Sequence, residues 1–558
     1  MKNLSLSFWL LLVTINIAYA LQSPIPVYKK GLVVSAHPEA SKVGLEILKY
    51  GGNAIDAAVA VQFALAVVYP NAGNIGGGGF MVYRDYKGAT STLDFREKAP
   101  IKAYKDMYLD NSGNPIKEKS IYGRLSCGVP GTVDGMVNAH LKYGKLNWQN
   151  VLQPAINLAK NGFSVTKDQA EELNGQKKIF EKYNPEGTDL VKNTKWVAGD
   201  ILKQPELAHT LELIKTEGRA GFYAGEIAAL IVKETNKEQG IISLKDLESY
   251  QSIWRKPIVG KYKDYTLITM PPPSSGGIAL MQLLHSVEPY PIAKWGQNKD
   301  STVRLLVEAA RRVYADRSEY LGDPDFYKVP QNALLNYDYQ QKRMENMNWD
   351  KATLSSDIKP GELINESEET THFSIVDKKG NAVSITTTLN GSYGSKVIVK
   401  GAGFLLNNEM DDFSVKAGSP NMYGVTGGTA NEIEPGKRML SSMTPTIIEK
   451  DKKLFMVLGT PGGSTIITSV FQTILNVIEF KQDMQTAVNS KRFHHQWLPD
   501  EVFTEEDVFD VATQQKLKEK GYVLTLRGNI GRVDAILKTK KGYQGGADPR
   551  GDDTTAGY

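Results

Sequence analysis

The sequence predicts an α+β fold built of stacked layers, and three observations lead there. Helical runs dominate as far as Tyr320, strand-and-turn patterns dominate from Thr370 onward, and no repeat of fixed period is present. With 558 residues the chain exceeds what one compact core usually holds, so two lobes or one large layered domain are expected. The net charge of +4 is small for that length and its charges are interspersed, which leaves no footprint for nucleic acid.

Taken in order, Met1-Lys2-Asn3, the apolar run Phe8 to Ile17 and Ala18-Tyr19-Ala20 read as a secretory signal peptide cleaved near Ala20. The run is short for a membrane anchor, and no later stretch is long and apolar enough to span a bilayer. A periplasmic or secreted protein is expected. Its lone cysteine, Cys127, cannot form an intramolecular disulfide and reads as a buried structural thiol.

Helices are predicted from Glu39 through Leu48, then from Ala54 to Val68 after Gly51-Gly52-Asn53. The second is alanine-rich and apolar on most sides, as a buried helix is. Further helical patterns cover Trp148 to Asn161, Asp168 to Leu173, Pro205 to Thr216 and Ser301 to Tyr320. The Pro271-Pro272-Pro273-Ser274-Ser275-Gly276-Gly277 stretch breaks the pattern and opens a helix at Ile278. A hairpin is predicted from Thr444 to Ile448 and Leu454 to Leu458 around Lys450-Asp451-Lys452-Lys453. Gly459 to Thr465 then leads into a helix over Ile466 to Phe480.

The hairpin from Thr370 to Thr388 carries the most information. Lys378-Lys379-Gly380 fits a three-residue loop with Gly380 in the left-handed position. Counting outward from Asp377 and Asn381 pairs Val376 with Ala382, Phe373 with Ile385 and Thr370 with Thr388. Opposed residues have Cβ atoms about 5 Å apart, so two hydroxyls stand side by side. Thr–Thr pairs are also ordinary features of solvent-facing sheets. A nucleophilic threonine needs a base, and a chain-terminal α-amine with a pKa of about 8 supplies one on the same residue. Thr370 is internal and gains that base only if the Glu369–Thr370 bond is cut. The acidic stretch Glu362 to Glu369 is a plausible linker for such a cut.

Several motifs in fixed order then resemble the γ-glutamyltranspeptidase (glutathione hydrolase) family. They are Gly76 to Phe80, Asp94 to Pro100, the triple proline, Gly322-Asp323-Pro324, Thr370 to Asn390, Asn407 to Phe413, Leu440 to Thr446, Pro461 to Ser464 and Arg492 to Trp497. The likeness runs from about Gly31 to the end of the chain. It implies a four-layer αββα sandwich of the N-terminal nucleophile hydrolase type. It further implies a precursor that cuts itself into a large subunit, 21–369, and a small catalytic subunit, 370–558, which remain together as a heterodimer. By family position Thr370 is the nucleophile and Thr388 its supporting threonine.

A γ-glutamyl group offers an α-carboxylate and an α-ammonium, so its site needs a forked cation and separate acceptors. By family position Arg96 meets the carboxylate with help from Ser441 and Ser442, while Asn390, Glu409 and Asp412 meet the ammonium. From the residues alone, Arg96 could equally be a structural ion pair with Asp94 or Glu97, and Glu409 and Asp412 a solvated loop or calcium ligands. Gly462 and Gly463 at a helix start suit an oxyanion hole. A phosphate loop is ruled out because no Gly-Lys-Ser/Thr follows, and Gly76 to Gly79 is expected to pack closely on the active-site strand. Tyr423 occupies the position of the family's lid aromatic.

No cofactor or metal is expected: His494 and His495 are adjacent, and no His-x-x-x-His or cysteine pair exists. No Gly-x-Ser-x-Gly elbow supports a serine triad. The expected function is hydrolysis of glutathione and other γ-glutamyl amides, with transfer of the γ-glutamyl group to amino acids or dipeptides. The alternatives are a glutaryl (β-lactam side-chain) acylase of the same family and a non-catalytic periplasmic binding protein.

Overall fold

A computed structural model describes residues 25–358, 369–416 and 428–558. The expected signal segment, most of the acidic linker before Thr370, and Tyr423 lie outside the described residues.

Two antiparallel sheets face each other. The first runs Thr554–Gly557, Leu32–Ser35, Glu369–Val376, Ala382–Asn390, Gly78–Arg84, Thr90–Asp94, Ile253–Arg255. The second runs Gly542–Gly546, Asp534–Thr539, Lys453–Gly459, Thr446–Lys450, Tyr265–Thr269, Ile258–Tyr262. Period-two alternation divides the apolar residues of each strand between two layers. Phe373, Ile375, Val383 and Ile385 join a core with the helices Pro38–Lys49 and Ala54–Val68. Leu32, Val34, Val82 and Val376 instead meet Ile268, Ile447, Val457 and Ile536 between the sheets. On the far side Leu267, Ile448, Met456 and Leu458 pack under the helices Gly276–Val287, Asp300–Tyr320 and Thr465–Ile478. Three apolar layers separated by two sheets make the αββα sandwich.

The Ala54–Val68 helix is buried along its whole length, as its composition predicts. Asn53 starts it with a reciprocal cap: its Oδ1 accepts from the Ile55 and Asp56 amides, and Asp56 Oδ2 accepts from the Asn53 amide. The helix expected over Asp168 to Leu173 continues to Tyr183. Ala170, Leu173 and Phe180 keep one face buried through a run of polar residues, which tertiary packing stabilises and local composition obscures. The strand expected from Thr444 starts at Thr446 instead. Pro445 has no amide to donate to the ladder, and the residues ahead of it turn toward Arg96. Asp451 and Lys452 turn the hairpin with φ of 52° and 59°.

Cys127 is buried, and burial pushes its thiol up to about 12, so it is an inert thiol at neutral pH.

Candidate active site

The Thr370 hairpin has the register that its turn dictates. Asp377 Oδ1 accepts from the amides of Lys379, Gly380 and Asn381, and Gly380 sits at φ 92°. Val376 then faces Ala382, Phe373 faces Ile385 and Thr370 faces Thr388. By alternation with Val376, residues 370, 372 and 374 point between the sheets. Ser374 and Ser384 there donate to the Asp534 and Leu458 carbonyls of the second sheet, at 3.1 and 3.0 Å. His372 fills the adjoining space and bonds Thr386 and Ser374; burial holds its pKa down to about 3, so it is neutral.

Thr370 is 9% exposed, and its Oγ1 has no hydrogen-bond partner among the described residues. Thr388 Oγ1 accepts from the Asn390 amide at 2.7 Å. A bulge between Thr388 and Asn390 sets Asn390 opposite Glu369 and places it at φ 71°. Asn390 Nδ2 donates to the Asn408 carbonyl, and the Gly391 amide donates to Asn408 Oδ1. Beside this strand the glycine run lets two backbones meet. A Cβ on Gly77 would lie 2.0 Å from the Thr388 carbonyl oxygen, and one on Gly79 2.4 Å from that of Thr386.

Gly462 and Gly463 precede the Thr465–Ile478 helix with φ of 131° and 56°. Gly462 O accepts from both the amide and the hydroxyl of Thr465, which holds the loop in place. Thr370 and Gly462 line one cleft of about 280 Å³. Gly463 is the next residue but does not line it.

Arg96 lies behind the hairpin, 1% exposed. Its guanidinium reaches Glu409 at 2.7 Å, Asp412 at 2.5 Å and Glu97 at 3.5 Å. It also donates to the carbonyls of Met439 and Leu440, so the segment ahead of Ser441 wraps it. Asp94 does not hold the guanidinium: it accepts from the Arg96 amide and pairs with Arg255 and Arg438. Ser441 Oγ accepts from the Met443 amide, and Ser442 Oγ accepts from Arg317. Three carboxylates around one buried cation would carry excess negative charge. Burial accordingly pushes Glu97 and Glu409 each up to about 8, against the opposing pull of Arg96. Burial alone would lower the Arg96 pKa, but Glu409, Asp412 and Glu97 together raise it. The Glu409–Asp412 turn is therefore buried and ion-paired, which overturns the solvated-loop alternative. Among the described residues no cluster of His, Cys, Asp or Glu could hold a metal ion.

The site thus has two parts. Thr370 and Gly462 line the cleft, and Thr388 stands opposite Thr370 on the next strand. Arg96, Glu409 and Asp412 form a buried, ion-paired cluster that does not line the cleft, and the Thr388 side chain interacts with Glu409.

A family model described as gamma-glutamyltranspeptidase matches residues 40–558. The chain belongs to the γ-glutamyltranspeptidase family. It is 46% identical over 544 residues to the glutathione hydrolase proenzyme of Escherichia coli, covering 95% of this chain and 92% of that protein. It is also 46% identical to the glutathione hydrolase proenzyme of Pseudomonas aeruginosa, covering 93% of each. Among solved structures it is similar to the γ-glutamyltranspeptidase of Helicobacter pylori, with 47% identity and a TM-score of 0.59 over 61% of this chain and 97% of that chain. A cephalosporin acylase from Bacillus halodurans superposes with a TM-score of 0.84 at 26% identity, over 96% of this chain and 97% of that one. These relatives agree with the layered sandwich.

Sequence reasoning missed several residues around this candidate site. Glu97 is not one of these, since the residues alone offer it as an ion-pair partner for Arg96 and it stands 3.5 Å from the guanidinium. Asn74, whose Nδ2 donates to the Thr388 carbonyl and whose Oδ1 accepts from the Gly77 amide, carried no signal. Nor did Asn71, Glu172 and Arg532, which line the cleft from distant parts of the chain.

Proposed function

We propose that Thr370 is the nucleophile of a γ-glutamyl hydrolase and transferase that becomes active when the Glu369–Thr370 bond is cut. The observation that supports this most is a threonine heading an edge-free central strand, paired with Thr388 and opening on the Gly462 loop. In the precursor, Thr370 Oγ attacks the Glu369 carbonyl, the peptide C–N bond breaks, and water hydrolyses the resulting ester. The products are a large subunit, 21–369, and a small subunit, 370–558, whose new α-amine is the base.

In the mature enzyme that amine takes the Thr370 hydroxyl proton as Oγ bonds to the γ-carbonyl carbon. The Gly462 and Gly463 amides hold the oxyanion at the helix start. As the tetrahedral intermediate collapses, the departing amine takes the proton and a γ-glutamyl ester remains. Water, or the amine of an amino acid or dipeptide, then attacks the ester and returns the hydroxyl to Thr370. Arg96, with Ser441 and Ser442, receives the α-carboxylate; Asn390, Glu409 and Asp412 receive the α-ammonium. Tyr423 keeps only the role that its family position implies. Glutathione is the proposed donor, because the E. coli and P. aeruginosa relatives are named for its hydrolysis.

A second reading, a glutaryl acylase, is favoured by the likeness to the cephalosporin acylase. An ammonium site built of Asp412 and Glu409 argues against it, since a glutaryl group has no ammonium. Release from γ-glutamyl and glutaryl anilides separates the two.

Residues 1–20 are proposed as a cleaved export signal to the periplasm or exterior. Among the described residues no helix is long and apolar enough to cross a membrane. Mass spectrometry of active protein should find two polypeptides, one beginning at Thr370. A single uncut polypeptide in fully active material would end this reading.

A further inference from the structure

Thr370 lines the open cleft, whereas Arg96, Glu409 and Asp412 do not. The γ-glutamyl group's charges point to the buried cluster, so the cleft is left for the departing amine and the incoming acceptor. At about 280 Å³ it is the size of a small-molecule site.

One wall of this cleft comes from the Lys167–Tyr183 helix, which presents Glu172 and, a turn further on, Gln176. Glu172 is half-buried. Its Oε2 accepts from Asn71 Nδ2 at 2.8 Å and from the Tyr393 hydroxyl at 3.2 Å. Tyr393 in turn donates its amide to the Asn71 carbonyl, just beyond the strand that carries Thr388. The carboxylate is therefore held in position by neutral donors. No cation pairs with it among the described residues: Lys167 pairs with Glu171, and Lys177 with Glu181.

Arg532 also lines the cleft, but its charge is matched. It pairs with Asp553, donates to the Tyr69 hydroxyl at 2.7 Å and to the Ala36 carbonyl at 2.9 Å. Of the two charged side chains that line the cleft, Glu172 is the one with no ion-pair partner among the described residues.

We propose that Glu172 sets the acceptor specificity of the transfer reaction, favouring acceptors that carry a cationic side chain and disfavouring acidic ones. This rests on the γ-glutamyl reading above. Glu172 moves no proton: the acceptor attacks as a neutral amine, its nitrogen bonds to the γ-carbonyl carbon, the ester C–O bond breaks and Thr370 regains its proton. Glu172 acts on the acceptor's side chain through charge alone.

The test supplies γ-glutamyl-p-nitroanilide as donor and compares near-isosteric acceptors that differ in charge. Arginine is set against citrulline, and glutamate against glutamine, with transfer products quantified by mass spectrometry. In 50 mM salt the native enzyme should prefer arginine to citrulline, and glutamine to glutamate, by roughly 3- to 10-fold in kcat/KM, as a partly solvated charge contact allows. Both ratios should fall toward one in 0.5 M salt, a readout that needs no variant. Glu172→Gln keeps an oxygen for Asn71 and Tyr393 and should bring both ratios near one at low salt, while Glu172→Arg should invert them. Ratios near one in the native enzyme, or ratios that neither salt nor substitution changes, overturn the proposal while nitroaniline release leaves the γ-glutamyl reading standing. Absence of nitroaniline release from cut native enzyme overturns both.

Discussion

Arg96 and Asp412 stand 316 positions apart in sequence, yet the guanidinium donates to the carboxylate at 2.5 Å inside the protein. Under the proposed reading, a bound donor takes over contacts that the protein makes to itself. A zwitterion can do so at little net cost, because its carboxylate replaces Asp412 at Arg96 while its ammonium replaces Arg96 at Asp412. A donor that lacks the ammonium strands the Asp412 charge.

This exchange predicts the behaviour of Asp412→Asn. A hydrogen bond between charged groups contributes about 1.5–3 kcal/mol, so KM for γ-glutamyl anilide should rise roughly 10- to 100-fold. KM for glutaryl anilide should rise far less. Equal effects on both donors would remove Asp412 from the ammonium site.

Thr388→Ala removes the hydroxyl opposite Thr370, along with the acceptor for the Asn390 amide. Small misplacement of a nucleophile can cost about 100-fold in rate. Self-cleavage and kcat should each fall roughly 10- to 100-fold, with KM little changed. Normal processing and full turnover on a time-course gel and a rate assay would exclude Thr388 from the mechanism.

Gly77→Ala tests the close approach beside that strand. The new Cβ would sit 2.0 Å from the Thr388 carbonyl oxygen and 2.8 Å from Asn74 Oδ1. Overpacking of this kind costs about 1–3 kcal/mol, and relief requires Thr388 to shift. The variant should show a lower Tm by calorimetry together with an increased uncut fraction. A lower Tm with normal processing would mean that the strain is relieved away from Thr388.

The carboxyl of Glu97 predicts a pH effect on stability. Burial raises it from 4.5 to about 8, with Arg96 opposing. The folded chain then holds a proton that the unfolded chain releases, so this contribution is fully present below pH 4.5 and is lost as pH rises toward 8. Glu409 acts in the same direction. Denaturation midpoints at pH 5, 6.5 and 8 should therefore fall less steeply in Glu97→Gln than in the native protein. Parallel profiles would mean that Glu97 is ionised throughout.

Much of the hairpin was legible because turn chemistry is local. Asp377, Gly380 and Asn381 close a loop whose geometry needs no distant partner, and side-chain period two carries the register outward to Thr370 and Thr388. The helix at Ala54–Val68 was legible for a similar reason, since a long apolar run has one stable destination. The helix after Lys167 was read too short, because its polar surface hides the buried face formed by Ala170, Leu173 and Phe180.

By itself the sequence determined the pairing of the two threonines, the buried alanine-rich helix, the inert cysteine and, through motif order, the family. The first three follow from contacts between near neighbours or from composition; the family rests on the resemblance of its motifs. Tertiary structure alone decided that Glu409 and Asp412 converge on Arg96, that Asn74 supports the Thr388 strand, and that Glu172 lines the same cleft as Arg532. Such contacts join residues hundreds of positions apart, and a charge in a sequence carries no mark of which distant charge will be buried against it.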